Sequence, residues 1–147
     1  MKYTVRFAHL DAAYVKEGQA IKEGDIVGRM GNTGQSTGAH LHIDCVEGRQ
    51  TKIYTMKEIE SGKYKSSIKQ LNHFIDDKLF DAPFCITTYY CEPEYARLFG
   101  KLHHGYDIVP KSGDKLIRWN RSKVGAVSAI FENHSAYGNC VYVTFEA

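Results

Sequence analysis

Proline is scarce in this sequence, with three among 147 residues, and tryptophan occurs once. So little proline, beside thirteen glycines, excludes a stiff proline-rich linker and points to tight turns between ordered elements. Long apolar runs are missing too: no stretch approaches the length that crosses a bilayer as a helix, so no membrane span is expected. Met1-Lys-Tyr-Thr-Val-Arg-Phe7 lacks an apolar core segment, and no secretory signal is read there. Charge of one sign is not in large excess. A net +2 is too small to predict a nucleic-acid partner, which needs a concentrated basic face, although mild basicity suits an anionic polymer. The four cysteines, Cys45, Cys85, Cys91 and Cys140, show no Cys-x-x-Cys spacing, which argues against a thiolate zinc site. Cys45 and Cys140 read as small buried residues, while Cys85 and Cys91 could pair in an oxidising compartment.

What is present favours sheet. Ten tyrosines and seven phenylalanines stand among many Val, Ile and Thr residues, and the length suits one domain with a full core. Strands are predicted near residues 3–8, 26–30, 40–46, 84–90, 105–109, 115–119, 124–131 and 139–145. Turns are placed at Asn32-Thr-Gly34, Lys111-Ser-Gly-Asp114 and Ser135-Ala-Tyr-Gly138. Residues 49–82 differ. Thr55-Met-Lys-Glu58 reads as a capping box opening a short helix that Gly62 stops. Ile68, Leu71, Ile75 and Leu79 share one helical stripe, which predicts a second helix from Ser66 to Leu79. The fold class is therefore mostly β, an antiparallel sheet with a small helical insert.

One stretch carries chemistry. Gly31-Asn-Thr-Gly-Gln-Ser-Thr-Gly-Ala-His40-Leu-His42-Ile-Asp44 is a glycine-rich turn running into a His-x-His strand. Alternation puts His40, His42 and Asp44 on one face and Leu41, Ile43 and Cys45 on the other. Far along the chain, His103-His-Gly105-Tyr-Asp107 offers a second His and a carboxylate at even spacing. Two His and one Asp form a three-ligand zinc set that keeps one tetrahedral position open, the pattern of a catalytic site. A P-loop reading of the glycines fails because the Gly-Lys-Ser/Thr ending is absent. Val15 to Gly28 has the spacing of a lipoyl-carrier hammerhead, but no lysine with its flanking signature sits at a hairpin tip.

These motifs resemble a known family. Ala8-His9-Leu10, the Gly18, Gly24 and Gly28 pattern after Val15, and Gly31 through His42 are similar to the second half of a lysostaphin-like (LytM-type) zinc endopeptidase. His103-x-Gly105-x-Asp107-Ile-Val-Pro110 and Tyr137-Gly-Asn139-x-Val141 are similar to its first half. The order is reversed relative to that family, so the chain reads as a circular permutant. Residues 1–48 then match the family's C-terminal half, 49–82 form a helical connecting segment, and 83–147 match its N-terminal half, all within one domain. Two tandem half-domains completed by exchange between molecules are the structural alternative to a monomer.

The resemblance implies roles residue by residue. His42, His103 and Asp107 would hold Zn²⁺, His40 would be the catalytic base, and His9 would hydrogen-bond the attacking water or stabilise the oxyanion. Tyr95, Tyr106 and Asn139 are candidate substrate-binding residues, and Asp44 has no family role. The implied activity is zinc-dependent hydrolysis of peptide bonds in bacterial peptidoglycan, as in a bacteriophage lysin or bacterial autolysin. It would act outside the cell, at the wall or on a virion. The alternative is an inactive wall-binding or enzyme-activating module on the same fold.

Overall fold

A computed structural model describes residues 1–36 and 38–147, so Thr37 of the glycine-rich motif lies outside the described residues. The fold is organised around the strand that begins the chain, β1 (Lys2–Ala13). The others are β2 (Ala20–Ile21), β3 (Ile26–Met30), β4 (Leu41–Glu47), β5 (Phe84–Thr88), β6 (Tyr106–Pro110), β7 (Leu116–Arg118), β8 (Gly125–His134) and β9 (Gly138–Glu146). They form one antiparallel sheet in the order β2-β8-β9-β1-β4-β6-β5, with β3 pairing the far end of β1 and β7 pairing β3. The mostly β architecture expected from the sequence is found, and each predicted strand appears. The first runs on to Ala13, and the short β2 had too little pattern to be read.

Both faces of the central strands are covered, so β1 is buried without a break from Thr4 to Leu10. On one face Val5, Phe7, Leu41, Ile43, Val141 and Val143 pack under Phe74, Leu79, Phe80 and Trp119. On the other, Ala8, Val46, Ala129 and Tyr142 meet Tyr54, Met56, Ile59 and Tyr137. Each such large apolar side chain contributes about 1.5–3 kcal/mol on burial, so two layers fix the strand register firmly.

The helical segment only partly follows its sequence pattern. α1 (Met56–Glu60) begins at a complete capping box, with the Thr55 hydroxyl accepting from Glu58 N–H and the Glu58 carboxylate accepting from Thr55 N–H. α2 spans just Ile68–Asn72, not Ser66 to Leu79. Beyond His73 the chain leaves helical geometry: the Asp76 carboxylate takes Lys78 N–H and the Asn120 side-chain amide, offering local bonds that compete with a helix ladder. Phe74 and Leu79 still reach the core, whereas Ile68 is exposed. A third helix, α3 (Pro93–Phe99), was not predicted. Its signal was Pro93 in the first turn and Gly100, in the left-handed conformation, closing it.

β9 and β1 pair from Lys2↔Glu146 to Leu10↔Asn139, and Ala147 N–H reaches the Met1 carbonyl at 3.2 Å. Residues 1–46 and 84–147 thus lie in one sheet. All four cysteines are free thiols: Cys45 and Cys140 are buried, Cys91 is half-buried and Cys85 is exposed. Among the described residues no helix is long and apolar enough to cross a membrane.

Candidate metal centre and active site

β4 and β6 place the site through one cross-strand pair, His42 opposite Asp107. Just before β6, His103 Nδ1 donates to the Gly105 carbonyl at 2.8 Å, which turns Nε2 toward the same point. Gly105 is required here: a Cβ would come 2.5 Å from the Ile43 carbonyl oxygen and 2.9 Å from His42 Cε1. His42 Nδ1 lies 3.2 Å from His103 Nε2 and 3.1 Å from Asp107 Oδ1, and His103 Nε2 is 3.3 Å from that oxygen.

The chemistry of this triangle identifies what fits it. His103 Nδ1–H is committed to Gly105, and His42 Nε2 donates to Asp44 Oδ2 at 2.7 Å, so each ring aims its other nitrogen inward. Three electron-rich atoms therefore converge, and only a proton or a metal cation between them reconciles the arrangement. Ligand atoms on a tetrahedral zinc with bonds of about 2.0–2.1 Å sit roughly 3.3–3.4 Å apart, which these separations fit. Burial raises a carboxylic acid's pKa, but hydrogen bonds from His103 and His42 outweigh it and hold Asp107 far below the usual carboxylate range. Burial works against charge on His42 as well, yet the bonds to Asp107 and Asp44 win and raise its pKa. Metal binding here must displace a proton.

Two more imidazoles flank the triangle. His40 Nδ1 lies 2.8 Å from the Gly38 carbonyl and 3.0 Å from Ser36 Oγ, leaving Nε2 3.6 Å from Asp107 Oδ1. His9 stacks 4.8 Å from the His40 ring. It gets there through a local break in β1: its φ is 62°, its N–H bonds the Tyr137 carbonyl, and the β1–β9 register shifts across it. A bulge of this kind re-aims one side chain without ending the strand. His9 Nδ1 donates to the Thr33 carbonyl at 2.6 Å. Burial and the neighbouring His42 lower its pKa to about 4.

All five expected residues line one open cavity of 510 Å³, together with Ser36, Thr88, Phe99, Lys101 and Tyr137. Tyr95 lines it as well, its ring 4.6 Å from that of His103. Tyr106 and Asn139 do not. Strand alternation turns Tyr106 away from Asp107, and its hydroxyl donates to Asn72 Oδ1. The Asn139 amide is used up inside the fold, giving to the Leu10 carbonyl and accepting from Asn133 N–H. Tyr137 stands in a motif but carries no role there; its ring lies tilted beside both His9 and His42, with centroids 6.4 and 6.3 Å away.

Asp44, for which the resemblance implies no role, is completely buried. It accepts from His42 Nε2, from Arg6 Nε at 2.9 Å and Nη2 at 2.6 Å, and from the Tyr54 hydroxyl at 2.6 Å. Burial would raise this carboxyl, but Arg6 and the His42 bond outweigh it and hold it at about 2. Arg6 has no exposed surface; its guanidinium lies 4.0 Å from the Tyr54 and Tyr137 ring centroids and also donates to the Tyr54 carbonyl. Removing one partner of such a pair costs about 3–5 kcal/mol, because the other charge is left stranded.

Residues 1–53 match the model of Peptidase family M23, the stretch that carries His9, His40 and His42. The match stops short of His103 and Asp107. Over 78 residues, 49% of the chain, it is 31% identical to the peptidoglycan DD-endopeptidase ShyB of Vibrio cholerae, covering 18% of that protein. ShyA of the same organism is 43% identical over 44 residues, 30% of the chain and 10% of the relative. An uncharacterized metalloprotease of Haemophilus influenzae is 40% identical over 57 residues, 38% of the chain and 12% of the relative. The chain thus spans less than a fifth of the length of these relatives. No solved structure matches it.

Proposed function

We propose that this chain is a zinc-dependent endopeptidase that hydrolyses peptide bonds of bacterial peptidoglycan. The observation that carries the reading is the convergence of His42 Nδ1, His103 Nε2 and Asp107 Oδ1 at mutual distances of 3.1–3.3 Å, beside two further imidazoles in one cavity. The wall substrate is supported by the relatives named as peptidoglycan DD-endopeptidases. The work site is then the cell wall, or a virion that attacks it.

His42, His103 and Asp107 would hold the metal. Zinc bound there supplies Lewis acidity and a water of lowered pKa. The chain's own residues do the rest. His40, giving its Nδ1 proton to the Gly38 carbonyl, keeps a bare Nε2 at the cavity and takes the proton of the attacking water. His9 is neutral at ordinary pH and, with Nδ1–H given to Thr33, presents an accepting Nε2. That polarity favours holding the water over donating to an oxyanion. Tyr95 and Tyr137 wall the cavity and limit where the substrate backbone lies. An inactive module on the same fold would have no use for the His9–His40 pair, so the catalytic reading is preferred.

We further propose that the domain is a circular permutant and a monomer, because a single chain contributes every strand of the sheet. Metal analysis of protein prepared without chelator, with solution mass, is the test. About one zinc per chain, lost in His42→Ala, at monomer mass is expected. Zinc near zero in the wild type, unchanged by His42→Ala, would remove the peptidase reading.

A further inference from the structure

Arg6 and Asp44 touch neither the cavity nor the place of the metal. They are also expensive: two unlike charges with no exposed surface, in a layer otherwise built of Tyr54, Met56, Ile59 and Tyr142. A pair this deep is weak evidence for stability, since apolar residues of similar size often do as well. Its geometry shows what it does instead.

The Asp44 carboxylate accepts four hydrogen bonds, three of them on Oδ2 and one on Oδ1. Three of the donors, two from Arg6 and one from Tyr54, cannot exchange roles. The guanidinium never loses its protons, and the Tyr54 hydroxyl is turned to Asp44 Oδ1. The fourth place, on Oδ2, therefore accepts only an N–H, and His42 Nε2 fills it at 2.7 Å. His42 is held with its proton on Nε2 and its lone pair on Nδ1, pointing between His103 and Asp107. Were the proton on Nδ1, it would face the triangle and leave two acceptors, Nε2 and Oδ2, opposed at 2.7 Å in a buried place.

We infer that Asp44, locked by Arg6, is a positioning residue of the metal centre that fixes which nitrogen of His42 is the ligand. Arg6 has a second reach. Its guanidinium is clamped between the Tyr54 and Tyr137 rings, and the Tyr137 ring lies tilted 6.4 Å from that of His9 and 6.3 Å from that of His42. One buried cation therefore sets the orientation of a ligand through Asp44 and the wall behind His9 through Tyr137. The inference rests on the metal reading above for its consequence, but the orientation of His42 can be observed without metal.

The experiment has two arms. Two-bond ¹H–¹⁵N correlation spectra of the wild-type chain, metal-free and then with zinc, should show His42 Nε2 protonated throughout, with Nδ1 the nitrogen that shifts on adding zinc. A bare or zinc-bound Nε2 overturns the inference with no variant needed. The second arm measures zinc affinity by chelator competition, and Co²⁺ absorption, in Asp44→Asn, Asp44→Glu and Arg6→Gln. Affinity should fall about 10–100-fold in Asp44→Asn and Arg6→Gln and recover in part in Asp44→Glu, with the Co²⁺ bands altered. Wild-type affinity and spectrum in folded Asp44→Asn would overturn it. If the wild type bound no zinc while Nε2 stayed protonated, the metal reading would fall and the orientation by Asp44 would survive.

Discussion

His40 and His42 are two positions apart on one face of a strand, yet their removal should separate metal from chemistry. His40→Ala leaves His42, His103 and Asp107 in place, so zinc content should stay at wild-type level while release of peptide from purified peptidoglycan drops about 10²–10⁴-fold. His9→Ala should also keep the metal, with a loss at the milder end. Full activity in His40→Ala would take the base role from it. At the same scale the cysteines give a chemical check on burial. Cys85 is exposed, while burial pushes the Cys140 thiol up to about 12 and raises Cys45 further. A thiol reagent at neutral pH should label Cys85 rapidly and Cys45 and Cys140 only after denaturation, read by peptide mass. Rapid labelling of Cys140 in the native protein would contradict the packing of β9. The facing of His40, His42 and Asp44 was legible from alternation alone. The fate of Asp44 was not, because its partner Arg6 lies 38 positions away and a strand pattern gives no sign that an arginine will be wholly buried.

Elements carry the site through a few tight places. Gly105→Ala puts a methyl group against the Ile43 carbonyl and the His42 ring, so β4 and β6 must separate. A cost of about 1–3 kcal/mol is expected, visible as a lower urea midpoint, with weakened zinc affinity because the His42–Asp107 pair spans that contact. Unchanged midpoint and affinity would show that the strands yield freely. Thr55→Ala removes half of the capping box of α1 and should cost about 0.5–2 kcal/mol without touching zinc affinity. The sequence exposed this cap because both of its partners sit within four residues. The end of α2 was hidden, since its stripe of Leu71, Ile75 and Leu79 continues through turns that the Asp76 side chain helps stabilise. The bulge at His9 was hidden as well, being dictated by the Tyr137 turn from the other end of the chain.

For the whole molecule, the motif order becomes a matter of connection rather than architecture. β9 lies against β1 in register, and Ala147 meets Met1. A rearranged chain that starts at Lys63, runs through Ala147, crosses a short glycine linker to Met1 and ends at Gly62 should therefore fold. The new break falls in an exposed turn. Wild-type zinc affinity and monomer mass are expected of it; an aggregated or metal-blind product would remove the permutant reading. The order of the two motif sets was legible because each stands as one continuous block; the match to the Peptidase family M23 model covers residues 1–53 alone. The β1–β9 pairing has one more consequence, and it concerns time. Thr4 and Thr144 bond across the sheet although 140 positions separate them. The strand that carries His9 thus depends on a partner from the far end of the sheet, and closing so long a loop slows folding. His9 keeps its turned conformation only with the Tyr137 carbonyl in place to accept its N–H. The cavity is therefore complete only when both ends of the sheet have met: without Tyr137 in place, His9 has no carbonyl to hold it beside His40.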